Sequence, residues 1–167
     1  MPRHPATRSV EELLRECSER HVRRSGPGGQ NRNKVETGIV LTHDPTGVSV
    51  EASERRTQRE NKAVAIQRLR RALAVEVREH IDEAGPSELW RSRVRNRRIA
   101  LNESHEDHPA MLAEALDVLA AHQWDLASAA ERLQVSASQL AKLLKTEPKA
   151  FKRLNDERMA RGAAPLK

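Results

Sequence analysis

The spacing of apolar residues divides the chain into a first part of strands and one long helix and a second part of helices. Residues 39–50 alternate apolar and polar side chains on both sides of an Asp-Pro-Thr-Gly turn, which predicts a β-hairpin. From residue 58 to residue 83 the apolar positions recur every three or four residues, which predicts a long amphipathic helix. Gly85-Pro86 should stop that helix.

The beginning of the chain predicts less regular structure. Residues 1–8 contain two prolines and two arginines, so we expect a disordered start. Ser9 has the character of an N-cap, and the apolar stripe behind it predicts a helix that ends near His21. Residues 20–24 are almost entirely polar, so any strand there should be short and lie at a sheet edge.

Residues 109–162 have the pattern of an all-helical module. Pro109 is suited to open a helix, and residues 126–133 and 137–145 predict two short helices with a turn at Gln134. This pair resembles the helix-turn-helix of Fis-type DNA-binding regulators, although Gln134 stands where a turn glycine is usual. The same pattern is equally consistent with a small helical bundle that docks on protein or ribosome.

The resemblance implies two sets of contact residues in the helical module. Those expected to face a groove are Ser136, Ser138, Gln139 and Lys142, and those expected to lie on phosphates are Lys145, Lys149, Lys152 and Arg153. The C-terminal helices are thus candidates for contact with DNA or protein.

The predicted fold class is α+β. We expect a small hairpin-containing sheet with a Gly-Gly-Gln loop and a long packing helix, followed by the all-α module. The predicted division is a domain over residues 9–86, a linker over 87–108 that is first basic and then acidic, and the helical module over 109–162.

Charge is placed unevenly along the chain. The net charge is +6, of which residues 1–100 carry +7 and residues 101–167 carry −1. Residues 91–98 hold five arginines and no acid to pair with them, which favours contact with an RNA backbone over a solubilising linker. With one Phe, no Tyr and two Trp, the chain does not suit binding of nucleic acid by stacking on aromatic rings.

Several site types are excluded or disfavoured by the residues present. The single Cys17 excludes a disulfide within the chain and a thiolate zinc cluster. His105 and His108 have the spacing of two metal ligands, but acidic linker is the favoured interpretation and no metal site is expected. No apolar run is long enough for a signal peptide or a membrane span, so we expect a cytoplasmic protein without membrane contact.

The most distinctive stretch is residues 24–34, where three glycines and a proline precede Gln30. Such a run cannot be a helix interior or a central strand, so it predicts a loop. Alone it would suit a flexible turn, and it has neither a phosphate-loop nor a dinucleotide-binding spacing. Its basic flanks favour a nucleic-acid partner.

Four motifs in a fixed order link this loop to a known family. They are Ser25-Gly26-Pro27-Gly28-Gly29-Gln30, Asn33-Lys34, the hairpin turn Pro45-Thr46-Gly47, and Arg56-Thr57-Gln58 followed by Asn61. Over residues 20–80 the chain resembles the catalytic domain shared by bacterial class I peptide chain release factors and the codon-independent ribosome-rescue hydrolases. Two positions depart from the family pattern: Arg32 stands where Val is usual, and Thr57 replaces Ser.

The resemblance implies a ribosome-dependent peptidyl-tRNA hydrolase that needs no cofactor. Its catalytic residues would be Gly28, Gly29 and Gln30, with the Gln30 backbone N–H stabilising the transition state or departing hydroxyl and its side chain positioning water. Gln30 would also be the family's methylation target. The implied partners are the peptidyl transferase centre of the ribosome, peptidyl-tRNA and rRNA.

Ten basic residues are candidates for RNA contact. Near the loop and the long helix they are Arg23, Arg24, Arg32, Lys34 and Arg56, and in the arginine cluster they are Arg91, Arg93, Arg95, Arg97 and Arg98.

Two functional hypotheses result. The first is a monomeric peptidyl-tRNA hydrolase that rescues stalled ribosomes without reading a stop codon, because the chain has no room for a separate codon-reading domain. The second is a non-catalytic nucleic-acid-binding or regulatory factor in which the helix-turn-helix dominates.

Overall fold

The predicted α+β class is confirmed in a computed structural model that describes residues 4–23, 36–81 and 85–167. A three-stranded sheet packs on one long helix, and four further helices follow a short hairpin. The strands are β1 (Cys17–Val22), β2 (Gly38–His43), β3 (Val48–Ala52), β4 (Val94–Arg95) and β5 (Arg98–Ile99). The helices are α1 (Val10–Leu14), α2 (Gln58–Glu76), α3 (Glu88–Arg93), α4 (His108–Ala121), α5 (Leu126–Arg132), α6 (Ala137–Lys145) and α7 (Pro148–Ala160).

The sheet is antiparallel, with β2 between β1 and β3. The predicted hairpin is confirmed as β2 and β3, whose apolar side chains Ile39 and Leu41 are buried. Gly47 closes the turn with a φ of +72°. β1 lies at the sheet edge and is mostly exposed, as its polar sequence predicts.

The predicted N-terminal helix is too long by about half its length. α1 ends at Leu14, and the chain then enters β1. Of the apolar stripe only Leu13 is fully buried, whereas residues 17–22 pair with β2 along the whole strand. Pairing satisfies the backbone of the edge strand better than a longer helix with little to bury.

The long helix α2 begins as predicted and ends early. Thr57 caps it in a reciprocal capping box with Glu60, and Leu69 and Leu73 face the core. The helix ends at Glu76 instead of residue 83. The carbonyl of Val77 bonds His4 Nε2 at 3.2 Å, so a tertiary contact holds the chain where helical periodicity alone predicted continuation.

The expected disordered start is wrong for residues 4–8. Pro5–Thr7 form a 3₁₀ turn in which Pro5 and Ala6 are buried. The turn packs against α2, and Arg70 Nη2 donates to the carbonyl of Ala6 at 3.3 Å. Burial against α2 supplies the apolar contact that the composition of this stretch did not suggest.

The expected linker over residues 87–108 is also wrong. α3 and the β4–β5 hairpin occupy residues 88–99, and Trp90 is only 1% exposed. The indole Nε1 of Trp90 donates to the carbonyl of Leu133 at 2.8 Å. One large side chain therefore fixes this basic stretch against the helical module.

The helices of the predicted module are α4 to α7, between residues 108 and 160, and their core is continuous with that of the sheet part. Met111, Leu112 and Leu116 of α4 are fully buried and join the same apolar cluster as Leu69 and Leu73 of α2. The change of net charge near residue 100 therefore does not coincide with a gap in the core.

Candidate functional site

The predicted catalytic loop lies outside the part of the chain that the structure describes. Its residues Arg24, Gly28, Gly29, Gln30, Arg32 and Lys34 fall within residues 24–35. The roles expected of them stay predictions. The structure does describe both ends of this Gly-Gly-Gln segment, and we call those ends (residues 22–23 and 36–38) the stem.

The stem brings the two ends of the segment side by side. Val22 pairs with Gly38 as the last step of the β1–β2 ladder. Arg23 Nε lies 3.0 Å from Glu36 Oε1, in an ion pair that is largely exposed. A β-carbon on Gly38 would lie 2.6 Å from Val22 Cγ2 and 2.9 Å from the Val22 carbonyl oxygen. Gly38 is therefore required for the close approach of the two strands.

Asn61 anchors the outgoing side of the stem to α2. Its side chain is fully buried, and its Nδ2 donates to the carbonyl of Thr37 at 2.6 Å. The same side chain holds the turn before α2, because Oδ1 accepts the backbone N–H of Arg55 at 2.9 Å and Nδ2 reaches the Arg55 carbonyl at 3.2 Å. One carboxamide thus connects the stem with the N-terminus of α2.

Gln58 makes a second, exposed connection. Its Nε2 donates to the carbonyl of Glu36 at 2.5 Å and to His21 Nδ1 at 3.2 Å. His21 Nε2 in turn bonds Glu19, which pairs with Lys62 at 2.7 Å. The hydrogen bonds from Lys62 and His21 hold the pKa of Glu19 below its ordinary value. The network spans β1, the stem and the first turn of α2.

Exposed cations surround the start of α2. Arg55, Arg56 and Arg59 are all exposed, and within the described ranges none of them forms an ion pair. Arg56 is therefore open to an anionic partner beside the stem, as its predicted role requires. Arg23 differs, because its guanidinium is already paired with Glu36.

The arginine cluster is not free of acidic partners as the sequence suggested. Arg93 pairs with Asp107, with Nη2 and Oδ2 2.5 Å apart. The two residues are 14 positions apart, so the pairing depends on the fold and not on local sequence.

Three of the other four arginines of the cluster each use one guanidinium nitrogen on backbone carbonyls. Arg91 and Arg97 are exposed and each donates to one carbonyl, at 2.9 and 3.1 Å. Arg95 Nη1 donates to the carbonyls of Val94 at 2.9 Å and Arg91 at 3.3 Å. No bond of the Arg98 side chain occurs with the described residues, so Arg98 has all its donors open to a ligand and Arg95 keeps those of Nε and Nη2.

The predicted helix-turn-helix elements are present as α5 and α6, with Gln134 at a φ of +57° in the turn. Of the four residues expected to face a groove, two are occupied within the chain. Ser136 Oγ caps α6, and Gln139 Oε1 accepts the backbone N–H of Ile99 at 3.2 Å. The expectation that Gln139 faces a groove is wrong, because its side chain is bonded to the β4–β5 hairpin.

The predicted phosphate contacts of the module also differ among themselves. Lys145, Lys149 and Lys152 are exposed. Arg153 instead donates to the carbonyl of Val75 at 3.0 Å and lies over the ring of Trp124, with its guanidinium carbon 5.7 Å from the ring centroid. Arg153 therefore holds α7 against the end of α2.

The two histidines with metal-ligand spacing have separate partners. His105 Nδ1 accepts the backbone N–H of Asp107, and His108 Nε2 bonds Thr146 Oγ1 at 2.7 Å. The expected acidic linker is replaced by tight turns that lead into α4. Among the described residues, no group of three His, Cys, Asp or Glu side chains is placed to hold a metal ion. No helix in the described ranges is both long and apolar enough to cross a membrane.

Three residues of the site escaped the sequence reasoning. Glu36, His21 and Gly38 belong to none of the four motifs. A glycine at the first position of an apolar strand, nine positions after Gly29, is the one local signal of close strand approach.

The comparisons with known proteins match the part of the chain that contains the stem. The family model described as the RF-1 domain matches residues 9–108. Peptide chain release factor PrfB1, chloroplastic, of Arabidopsis thaliana is 43% identical over 83 residues, which cover 45% of this chain and 18% of that protein. Peptide chain release factor 2 of Campylobacter lari is 37% identical over 81 residues, or 46% of this chain and 22% of the relative. Peptide chain release factor 1 of Streptococcus agalactiae is 41% identical over 70 residues, or 39% and 20%. The chain thus spans about a fifth of the length of these curated relatives.

Proposed function

The chain belongs to the RF-1 domain family, and from this premise we propose that it hydrolyses the ester bond of peptidyl-tRNA on the ribosome. The observation that supports the proposal most strongly is the stem. The family match includes the Gly-Gly-Gln segment. Asn61 and Gln58 hold the outgoing end of that segment on α2, and the pairing of Val22 with Gly38 holds the incoming end beside it.

The chemistry required of such a site is modest. The ester is already activated, so water must reach it in the correct orientation and the developing oxyanion must be stabilised. A carboxamide is a poor general base, so Gln30 does not take a proton as a catalytic carboxylate would. We assign the Gln30 backbone N–H to stabilisation of the transition state or departing hydroxyl, and its side chain to the positioning of water. The proposed partners are rRNA and peptidyl-tRNA in the peptidyl transferase centre.

The described residues would serve this chemistry by positioning. A backbone donor acts only if its segment arrives in one orientation, and the stem sets the direction in which the segment leaves the sheet. The open side chains of Arg55, Arg56 and Arg59 lie next to the stem and suit the phosphates of rRNA. The Gly-Gly-Gln segment would therefore enter the ribosome with exposed positive charge beside its stem.

Codon-independent rescue of stalled ribosomes in the cytoplasm is the narrower part of the proposal. It is tested by comparing ribosomes whose mRNA ends in the decoding site with ribosomes that carry a sense or a stop codon there. Release that does not depend on a stop codon supports rescue. Release only at stop codons keeps the hydrolase and rejects the rescue function.

The central experiment measures release of labelled peptide from peptidyl-tRNA on purified ribosomes. We expect Gly29→Ala to abolish release, and Gln30→Ala to show how much the side chain adds to the backbone N–H. Gln67→Ala is the matched control, because it removes the same carboxamide from an exposed position on α2. Absence of release by the wild-type protein on every ribosome type, despite binding, would reject the hydrolase in favour of a non-catalytic factor.

A further inference from the structure

The β4–β5 hairpin gathers positive charge in an unfavourable arrangement. Arg95 and Arg98 are paired directly across the two strands. The turn between them consists of Asn96 and Arg97, with φ values of +48° and +61°. Like charges opposite each other destabilise a strand pair, and an arginine in the left-handed region adds strain. Neither Arg95 nor Arg98 forms an ion pair within the described ranges.

The hairpin is held firmly in spite of this. Arg97 Nη2 donates to the carbonyl of Val135 at 3.1 Å, and the Arg97 carbonyl accepts the N–H of Ser136 at 3.2 Å. Ile99 N–H donates to Gln139 Oε1 at 3.2 Å. These three bonds fix the hairpin on the α5–α6 turn and on the first turn of α6.

A third cation lies on the face of α6 whose Gln139 receives the hairpin. Lys142 follows Gln139 by one helical turn, so the two side chains share one face of α6. Lys142 is exposed and has no ion pair with the described residues. An open cavity of about 600 Å³ lies along the hairpin and is lined by Arg95, Asn96, Arg98, Ile99 and Ala100.

We propose that Arg95, Arg98 and Lys142, called here the hairpin surface, bind the phosphate backbone of RNA without sequence preference. The side chain of Gln139, which would be suited to read bases from α6, is used to hold the hairpin. The groups that remain open are cations, and cations on phosphates position a protein on a nucleic acid but do not specify a base. A polyanion also removes the repulsion between Arg95 and Arg98.

The choice of RNA over DNA rests on the proposed ribosomal function. The geometry of the hairpin surface fits a phosphate backbone in general, and a protein that acts on the ribosome meets that backbone in rRNA. The test therefore includes both nucleic acids and a variant that separates binding from hydrolysis.

The experiment measures how tightly each protein binds a mixed-sequence RNA duplex over a range of salt concentrations. The duplex has about 16 base pairs, the span of a typical duplex RNA site. The triple variant Arg95→Gln, Arg98→Gln, Lys142→Gln is measured beside the wild type. The matched control, Arg15→Gln, Arg20→Gln, Lys167→Gln, removes two arginines and one lysine from exposed positions elsewhere. Thermal unfolding of each protein shows whether the variants remain folded.

The logarithm of the binding constant falls linearly with the logarithm of the salt concentration. We expect this dependence to be shallower in the triple variant by about 2 to 3, since each phosphate contact contributes about 0.7 to 0.9 to the slope. At 0.1 M salt this corresponds to a loss of affinity on the order of fivefold to tenfold per contact. The control should lose much less. Equal losses in the two triple variants would overturn the hairpin surface as a site, because net charge alone would then explain binding. Tighter binding of a DNA duplex with the same base-pair sequence would overturn the assignment to RNA.

Failure of the proposed function gives a different result. If the wild type releases no peptide but its binding to RNA and to ribosomes depends on the three cations, the hairpin surface stands and the hydrolase does not. If Gly29→Ala abolishes release while the triple variant binds ribosomes as the wild type does, the hydrolase stands and the hairpin surface is rejected.

Discussion

Replacing Asn61 with alanine is the sharpest test of the stem, because three hydrogen bonds of one buried side chain would be lost together. They are the bond from Nδ2 to the Thr37 carbonyl at 2.6 Å and the two bonds to the backbone of Arg55 at 2.9 and 3.2 Å. A typical hydrogen bond contributes about 1 kcal/mol net, so the variant should lose about 3 kcal/mol of unfolding free energy. For a chain of this size that corresponds to a fall in Tm of about 6 to 12 °C.

The assay is thermal unfolding followed by circular dichroism, with peptide release measured well below the midpoint of each variant. Asn61→Asp keeps the volume and one acceptor but turns an oxygen toward the Thr37 and Arg55 carbonyls, so its Tm should fall at least as far. Gln67→Ala removes an exposed carboxamide from the same helix and should stay within about 0.5 kcal/mol of the wild type.

A separate result is expected for Gln58→Ala. Its contacts are exposed, so stability should change by less than about 1 kcal/mol. Peptide release should nevertheless slow, because the stem loses its bond at the Glu36 carbonyl.

A Tm of Asn61→Ala within 2 °C of the wild-type value would refute the view that the Asn61 carboxamide holds the stem. A large fall in Tm with undiminished release would assign Asn61 to the fold alone.

Three further predictions concern other positions. Gly38→Ala should cost about 1 to 3 kcal/mol of unfolding free energy in urea denaturation, because its β-carbon would lie 2.9 Å from the Val22 carbonyl oxygen; wild-type stability would show that the strands move apart freely. Burial lowers the pKa of His4 from 6.5 to about 4, so the contribution of His4 to stability should be complete above pH 6.5 and fall as the pH drops toward 4. Between pH 7.5 and pH 5 the wild type should lose about 2 kcal/mol relative to His4→Gln, as measured by urea denaturation of both proteins at the two pH values. This comparison cancels the opposite contribution of Asp117, whose pKa burial raises to about 7; an equal change in both proteins would contradict the assignment. Gln134→Gly should raise the Tm by a few degrees, since glycine adopts a φ of +57° without strain, and no rise would show that the turn is not strained.

The features that depend on local sequence were predictable. The hairpin β2–β3 follows from alternation and a turn with Pro45 and Gly47, and the helical module follows from apolar spacing after Pro109. These signals act within a few residues, so they need no knowledge of tertiary structure.

The sequence predictions were wrong where contacts between residues far apart in the chain determine the local structure. The end of α2 is set partly by His4, which lies 73 positions from Val77. The stretch expected to be a linker is fixed by Trp90, whose partner Leu133 is 43 positions away. Apolar periodicity predicted the first stretch and local charge the second, but a single buried aromatic or histidine outweighs such local signals once it finds a partner.

The candidate site shows the same division. The Gly-Gly-Gln motif and the positions of Gln58 and Asn61 near the base of the domain could be read from the sequence by resemblance. Their bonding partners at Glu36 and Thr37 are backbone carbonyls, which carry no sequence signal. Strand pairing alone brings those carbonyls to the start of α2.

The length of α2 has a consequence for how far the chain can reach. Its 19 residues span about 28 Å at 1.5 Å per residue, with the stem bonded at its first turn and the helical module packed against its other end. The number of residues in α2 therefore sets the distance between the stem and any surface to which the helical module binds. Removing four residues would shorten α2 by about 6 Å and turn the stem by about 40° about the helix axis.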